Sequence, residues 1–186
     1  MKPKTIFKLV ILSFCIVMIG ACSANEKPTV EEQVMKRVPF PKSTNILHIE
    51  DHRDGKIILY KDETGFRSSY YIEKDDYFQS TSNAQLNPED GFEWTMDNNP
   101  NLAMFSGVIT DKNIKEVIVK QRTVEQQAKI IDINDGKRYW FTTFDELEDP
   151  LNGEPDPLKI EAYDKEGNLY WKSGVYEDGL FEGNTN

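Results

Sequence analysis

The chain has 186 residues, with 32 acidic side chains against 22 basic ones and a formal net charge of −10. This length is sufficient for one domain with a sizeable apolar core. So large an excess of negative charge argues against nucleic acid or an anionic membrane surface as the ligand.

The first 22 residues have the pattern of an export signal. Lys2, Lys4 and Lys8 precede an apolar run that begins at Leu9 and ends in small residues before Cys22. A basic start, a short apolar middle and small residues before a cleavage point are typical of secreted precursors. The run is short for a membrane-spanning helix, which needs about 20 apolar residues.

The four residues Ile19-Gly20-Ala21-Cys22 resemble the lipobox of bacterial lipoprotein precursors. The resemblance is confined to this N-terminal segment. It implies that a diacylglyceryl group is attached to the Cys22 thiol and that the precursor is cut between Ala21 and Cys22. Each buried methylene contributes about 0.8 kcal/mol, so two acyl chains would anchor the protein to a membrane without spanning it.

This interpretation divides the chain into a signal peptide (1–21), a lipidated tether (22–28) and a single β-rich extracytoplasmic domain (29–186). Loss of the three signal lysines takes the formal charge from −10 to −13. The two cysteines are Cys15, which leaves with the signal, and Cys22, which carries the lipid. The exposed domain therefore has no disulfide and depends on its core for stability.

One short helix is predicted at the start of the domain. Thr29 and Glu32 have the spacing of a capping box, in which each side chain binds a backbone N–H of the other residue. Pro39 and Pro41 follow, and proline cannot continue a helix.

After Pro41 the pattern changes to strands separated by turn residues such as Asp54-Gly55. The predicted strands are 46–49, 56–60, 66–73, 77–79, 104–109, 114–119, 128–133, 138–141, 158–163 and 169–172. Alternation of Phe92, Trp94 and Met96 indicates a further short strand in the polar stretch 80–101, which is the expected division of the domain.

These elements predict a mainly β fold, an antiparallel sandwich or open barrel of two meander-like halves with one short N-terminal helix. The phrase AYDKEGNLYW at 162–171 resembles part of small lipoproteins of Gram-positive bacteria. That resemblance agrees with the β-rich fold and the export signal, and it supplies no site residues.

Two groups of side chains raise the question of a metal site. His48, Glu50 and His52 share one face of a strand, but a rise of about 3.3 Å per residue places the two histidines roughly 13 Å apart, too far to share one zinc ion. An acidic loop is rich in carboxylates that calcium prefers. Its members are Asp145, Glu146, Glu148, Asp149, Glu154 and Asp156. The loop lacks regular ligand spacing and is more simply interpreted as a solvated surface loop.

The stretches 132–136 and 164–168 are faintly calcium-like and are better interpreted as hairpin turns. We predict no metal site and no cofactor.

Catalytic motifs are missing from the sequence. It has no Gly-x-Ser-x-Gly motif, no cysteine after Cys22 and no glycine-rich phosphate loop. Trp94, Trp140 and Trp171 indicate core packing first and a sugar or lipid groove second. We therefore predict no catalytic residues and no enzyme activity.

The expected function is that of a membrane-anchored lipoprotein on the extracytoplasmic face of the cell membrane. It would act as a binding or envelope-support module for a protein or small-molecule ligand, with the diacylglyceryl anchor as its membrane contact and with no nucleic acid partner. The alternative is an extracytoplasmic hydrolase that uses a carboxylate pair.

Overall fold

A computed structural model describes residues 27–99 and 102–185. The chain divides into two units, residues 1–36 and 37–186. The predicted signal, the cleavage point between Ala21 and Cys22 and the lipid attachment at Cys22 lie outside the described residues.

The described part of the first unit contains one helix, α1 (Val30–Met35). Thr29 is its N-cap: the Thr29 hydroxyl accepts a hydrogen bond from the Glu32 backbone N–H, and the Glu32 carboxylate accepts one from the Thr29 N–H. The capping box and the short helix are therefore confirmed. The two capping hydrogen bonds satisfy backbone N–H groups that the start of a helix leaves without partners.

The second unit contains three antiparallel sheets. Sheet A has the order β1-β2-β3-β4. Its strands are β1 (Asn45–His52), β2 (Gly55–Asp62), β3 (Gly65–Ile72) and β4 (Tyr77–Ser80). Each strand pairs with its neighbour in sequence, so sheet A is a meander made by local turns.

Sheet B has the order β5-β6-β10-β9. Its strands are β5 (Phe92–Asn99), β6 (Leu102–Ile109), β9 (Lys129–Asp132) and β10 (Arg138–Phe144). Sheet C has the order β13-β12-β11-β7-β8. Its strands are β7 (Glu116–Lys120), β8 (Glu125–Gln127), β11 (Lys159–Tyr163), β12 (Leu169–Tyr176) and β13 (Gly179–Asn184).

Sheet B is the middle layer of a three-layer packing, because its two faces belong to two different apolar cores. On one face, residues such as Met104 and Tyr139 pack with Ile57 and Phe66 of sheet A. On the other face, Phe105 and Trp140 belong to the core that contains the buried residues of sheet C. All eight residues of β6 are buried, as expected for a strand covered on both sides.

The mainly β, antiparallel sandwich class is confirmed, together with the single short helix. In β3, alternation places Phe66, Tyr70 and Ile72 in the core between sheets A and B. The strands after residue 80 differ from a simple second meander, because they are divided between sheets B and C.

The chain changes sheet at Ala128. The strand predicted over 128–133 is β9, which pairs with β10 in sheet B, whereas β8 precedes it, was not predicted and pairs with β7 in sheet C. Ala128 is buried between them, and its N–H donates to the Val117 carbonyl. Such a switch lets one extended segment hold two packed sheets at a shared corner.

Candidate functional site

The two histidines of β1 do not come together. His48 Nε2 is 2.7 Å from Glu50 Oε2, and the Lys129 ammonium contacts the same carboxylate oxygen. Burial raises the pKa of Glu50, but the bonds from His48 and Lys129 outweigh this effect and hold that pKa below its ordinary value. His52 packs edge-on against Tyr70 instead. The strand therefore separates the histidines, as its extended geometry predicts.

The carboxylates of the acidic loop are engaged by different partners. Glu148 accepts from the backbone and side chain of Thr123, and both Glu148 and Glu154 pair with Arg122. Asp145 pairs with Arg53. Over residues 27–99 and 102–185, no group of three or more acidic, histidine or cysteine side chains is arranged to hold a metal ion.

The two calcium-like stretches form turns. Asp132 Oδ1 accepts from the Asn134 N–H between β9 and β10. Asp164 Oδ1 accepts from the N–H groups of Glu166 and Asn168 between β11 and β12. These bonds use each aspartate to close its own turn.

Two of the three tryptophans are core residues. Trp140 and Trp171 are buried on either side of Phe92, with ring centroids 5.5 Å and 4.4 Å from that of Phe92. Trp94 is only half-buried and lines a small apolar cleft of about 180 Å³ with Leu158 and Leu180. Leu180 is 82% exposed.

One pair of carboxylates bears on the hydrolase alternative. Burial raises the pKa of Glu93, and the nearby charge of Glu182 raises it further. Glu182 also accepts a hydrogen bond from Trp94 Nε1, at 3.3 Å. Trp94, to which Glu182 is hydrogen-bonded, lines the adjacent apolar cleft, whereas neither glutamate does.

A larger network of hydrogen-bonded polar side chains lies on the face of sheet C that is turned away from sheet B. We call this face the far face. The alternation of β11 explains it: Ile160 and Ala162 point into the core, so Lys159, Glu161 and Tyr163 point to the far face. The antiparallel register aligns Lys159 with Lys120 of β7 and with Gly174 of β12.

Glu161 is the centre of this arrangement, and its side chain is only 9% exposed. Lys120 Nζ is 2.7 Å from Glu161 Oε2, and the Tyr163 hydroxyl donates to the same oxygen. The Tyr176 hydroxyl donates to Oε1 at 3.1 Å. Lys120 Nζ also donates to the Tyr163 hydroxyl at 3.1 Å. Both oxygens of the buried carboxylate therefore have partners. These contacts offset the free-energy cost of removing the charge from water.

The pKa values of the network follow from these contacts. Burial raises the pKa of Glu161, but the bonds from Lys120, Tyr163 and Tyr176 outweigh it, and the resulting pKa lies below the ordinary value. The pKa of Lys120 is raised, because its bond to Glu161 outweighs the opposite effect of burial. Burial and the Glu161 charge raise the pKa of Tyr176. At neutral pH the far face thus holds one fixed ion pair framed by two neutral phenols.

A polar cleft of about 470 Å³ opens beside this network. Lys120, Lys159 and Glu161 form one side of it, and the loop residues 154–157 line another. Arg122 also lines the cleft and is held by Glu148 and Glu154. Three of the charged residues that line the cleft, Lys120, Glu161 and Arg122, are therefore held in place by ion pairs.

Next to the cleft, two lysines and two aromatic rings surround Gly174. Gly174 pairs with Lys159 on one side and Phe181 on the other, and it lies between Lys172 and Tyr176 on β12. Lys159 and Lys172 place their Nζ atoms 4.4 Å and 4.1 Å from the Tyr176 ring centroid, and Lys172 Nζ is 4.5 Å from that of Phe181. We call these four side chains the Gly174 cluster.

None of the residues on this face was identified as a site from the sequence. The alternation Lys159, Glu161, Tyr163 against Ile160 and Ala162 does indicate that a lysine, an acid and a tyrosine share one face. The partners from β7 and β12 depend on the strand order of sheet C, which local sequence does not contain.

Within the described residues, no helix has the length and apolar character to cross a membrane. No protein-family model, curated protein or solved structure matches this chain.

Proposed function

We propose that this protein is a lipid-anchored binding protein of the cell exterior, which uses the far face of sheet C to hold a polar ligand. The single observation that carries the binding role is the Glu161 network beside the 470 Å³ cleft. The anchor is inferred from the sequence pattern that ends at Cys22. Confinement to a membrane raises the effective concentration of such a module near its ligand.

The far face has properties that suit binding. Its polar groups are fixed by one another before any ligand arrives, so little conformational entropy remains to be lost on association. The cleft has the size of a small-molecule site and is lined by cations, acids and an amide.

Binding is favoured over hydrolysis on chemical grounds. The buried acid on this face, Glu161, has a lowered pKa, whereas a general acid needs a raised one. Glu93 has a raised pKa, but neither Glu93 nor Glu182 lines the polar cleft beside Glu161.

Metabolic labelling tests the anchor. Cells that express the full chain are fed a clickable fatty acid, and we expect the label on the wild-type protein and none on the Cys22→Ala variant. The Cys15→Ala variant is the matched control and should be labelled normally. An unlabelled wild-type protein, or equal labelling of Cys22→Ala, would contradict the lipoprotein assignment.

Ligand-induced thermal shifts test the site. The full-length protein in detergent is screened against neutral sugars, carboxylated sugars and sugar phosphates, and at least one class should raise its Tm. Arg122→Gln should remove the rise, because Arg122 lines the cleft, while Lys165→Gln on a distant turn should keep it. Each variant is compared with its own unliganded Tm, so lost stability does not imitate lost binding. The proposal fails if no class raises the Tm or if Arg122→Gln responds like the wild type.

A further inference from the structure

We propose that the Gly174 cluster binds the phosphate group of a small phosphorylated sugar or polyol. This inference rests on the proposed binding function and names the chemical class of its ligand. The cluster lies beside the polar cleft, and Lys159 belongs to both.

The first argument is charge. Lys120 is neutralised by Glu161, and Arg122 by Glu148 and Glu154. Lys159 and Lys172, by contrast, form no ion pair with a carboxylate of the described residues, and each lies over an aromatic ring instead. Two cations without a carboxylate partner thus lie beside one ring, and a phosphate group carries about −1.5 to −2 charges near pH 7.

The second argument is preorganisation. A lysine side chain in water has many rotamers, and fixing one costs up to about 2 kcal/mol of conformational entropy. Here the rings of Tyr176 and Phe181 already hold the two lysine side chains through cation–π contacts. Gly174 allows the Lys159 side chain to lie across β12, since a Cβ at this position would be 2.7 Å from the Leu158 carbonyl oxygen and 3.0 Å from Lys159 Cγ.

The third argument concerns ligand size. The sequence predicts a mature chain of charge −13, which repels a long polyanion over its whole surface. A small ligand responds mainly to charges within the Debye length of about 8–10 Å. Around the Gly174 cluster those charges include two uncompensated lysines. A single phosphate on a sugar or polyol therefore fits, while nucleic acid and an anionic lipid surface do not.

Isothermal titration calorimetry on the full-length protein in detergent tests the inference with glucose 1-phosphate, inorganic phosphate and glucose as probes. We expect glucose 1-phosphate to bind best, phosphate more weakly and glucose without detectable heat. The double variant Lys159→Gln/Lys172→Gln should weaken binding of glucose 1-phosphate by at least about tenfold, because charge-assisted hydrogen bonds are lost. Affinity should also fall at high salt.

The matched control is Lys112→Gln/Lys115→Gln, which removes the same charge from two exposed lysines before β7 and should leave affinity unchanged. Equal weakening in the control would reduce the effect to net charge and overturn the inference. So would no binding of glucose 1-phosphate. If a neutral or carboxylated sugar raises the Tm through Arg122 while these phosphate probes fail, the proposed function stands and only this inference is lost.

Discussion

Glu161 shows how a charged side chain is accommodated inside a β protein. Its two oxygens are shared by one ammonium group and two phenols, on three neighbouring strands. Hydrogen bonds to a charged group contribute more than neutral ones, about 1.5–3 kcal/mol each. The network is thus a source of local rigidity for the strands that carry it.

We expect Glu161→Gln to lower the free energy of unfolding by about 1–3 kcal/mol, because Lys120 would keep its charge in a half-buried place without a counter-charge. Urea unfolding at neutral pH measures this loss. Glu125→Gln is the matched control, since Glu125 is an exposed acid opposite Lys120 on β8, and it should change stability by less than about 0.5 kcal/mol. A Glu161→Gln protein as stable as the control would contradict the role given to the network.

His52 predicts a pH dependence of stability. Its Nε2 is buried and has no hydrogen-bond partner among the described residues. Burial lowers the pKa of His52 from its ordinary value of 6.5, and the charge of Arg53 lowers it further. The unfolded chain therefore takes up this proton at a higher pH than the folded chain does.

The consequence is a loss of stability as the pH falls below about 6.5, with the full contribution present above it. Unfolding midpoints between pH 8 and pH 5 measure it. His52→Gln should flatten this part of the profile, because glutamine does not titrate. Identical profiles for the wild type and His52→Gln would refute the prediction.

At the scale of elements, β6 and its neighbours show why glycine is required inside the middle sheet. A Cβ added to Gly107 would clash with the Glu93 carbonyl oxygen of β5 and approach Trp140 Nε1 of β10 to 2.6 Å. Both obstacles are held by the sheet and by core packing, so neither can move without disturbing paired strands.

We therefore expect Gly107→Ala to cost about 2–3 kcal/mol of stability through overpacking. Gly153→Ala is the comparison, since that residue has φ of +81° but nothing within 4 Å of an added Cβ. The Gly153→Ala variant should lose only about 1 kcal/mol of stability, because alanine disfavours the left-handed conformation. Chemical denaturation of both variants tests the ranking, and a cheaper change at Gly107 would contradict the packing argument.

The elements that the sequence predicts well are those set by local rules. The Thr29 cap and the Asp54-Gly55 turn both depend on residues close together in the chain. The strand β13 was missed because Gly179–Asn184 has few apolar residues, although Asp178-Gly179 before it is a hairpin signal.

Other features depend on distant partners and could not be predicted locally. The change of sheet at Ala128 follows from which strands lie beside β8 and β9. The Glu161 network needs β7 and β12 on either side of β11. Sequence alternation indicates which face a side chain takes, but strand order decides what it meets there.

For the molecule as a whole, the two cores share one sheet. Substitutions on β6 affect both at once, because alternate residues face sheet A and sheet C. The backbone amides of β6 and β10 are also paired on both sides. These strands should open only with the whole domain.

We expect hydrogen exchange to be slowest in β6 and β10 and faster in the edge strands β1, β4, β8 and β13. Exchange measured by mass spectrometry on the full-length protein tests this order. The prediction concerns rank, so the slowest exchange in a strand of sheet A would show that the middle layer is not the most stable part.

Sheets B and C alternate along the sequence, whereas sheet A is a contiguous stretch from residue 45 to residue 80. During synthesis the hairpins of sheet A emerge first, but the sheet B residues that cover their apolar side, from Leu102 to Phe141, come about twenty to sixty residues later. Until sheet B is made, the growing polypeptide exposes the apolar face of sheet A to solvent. A precursor sent across a membrane before it folds would meet this hazard on the far side, where prompt arrival of the C-terminal half decides between a native protein and an aggregate.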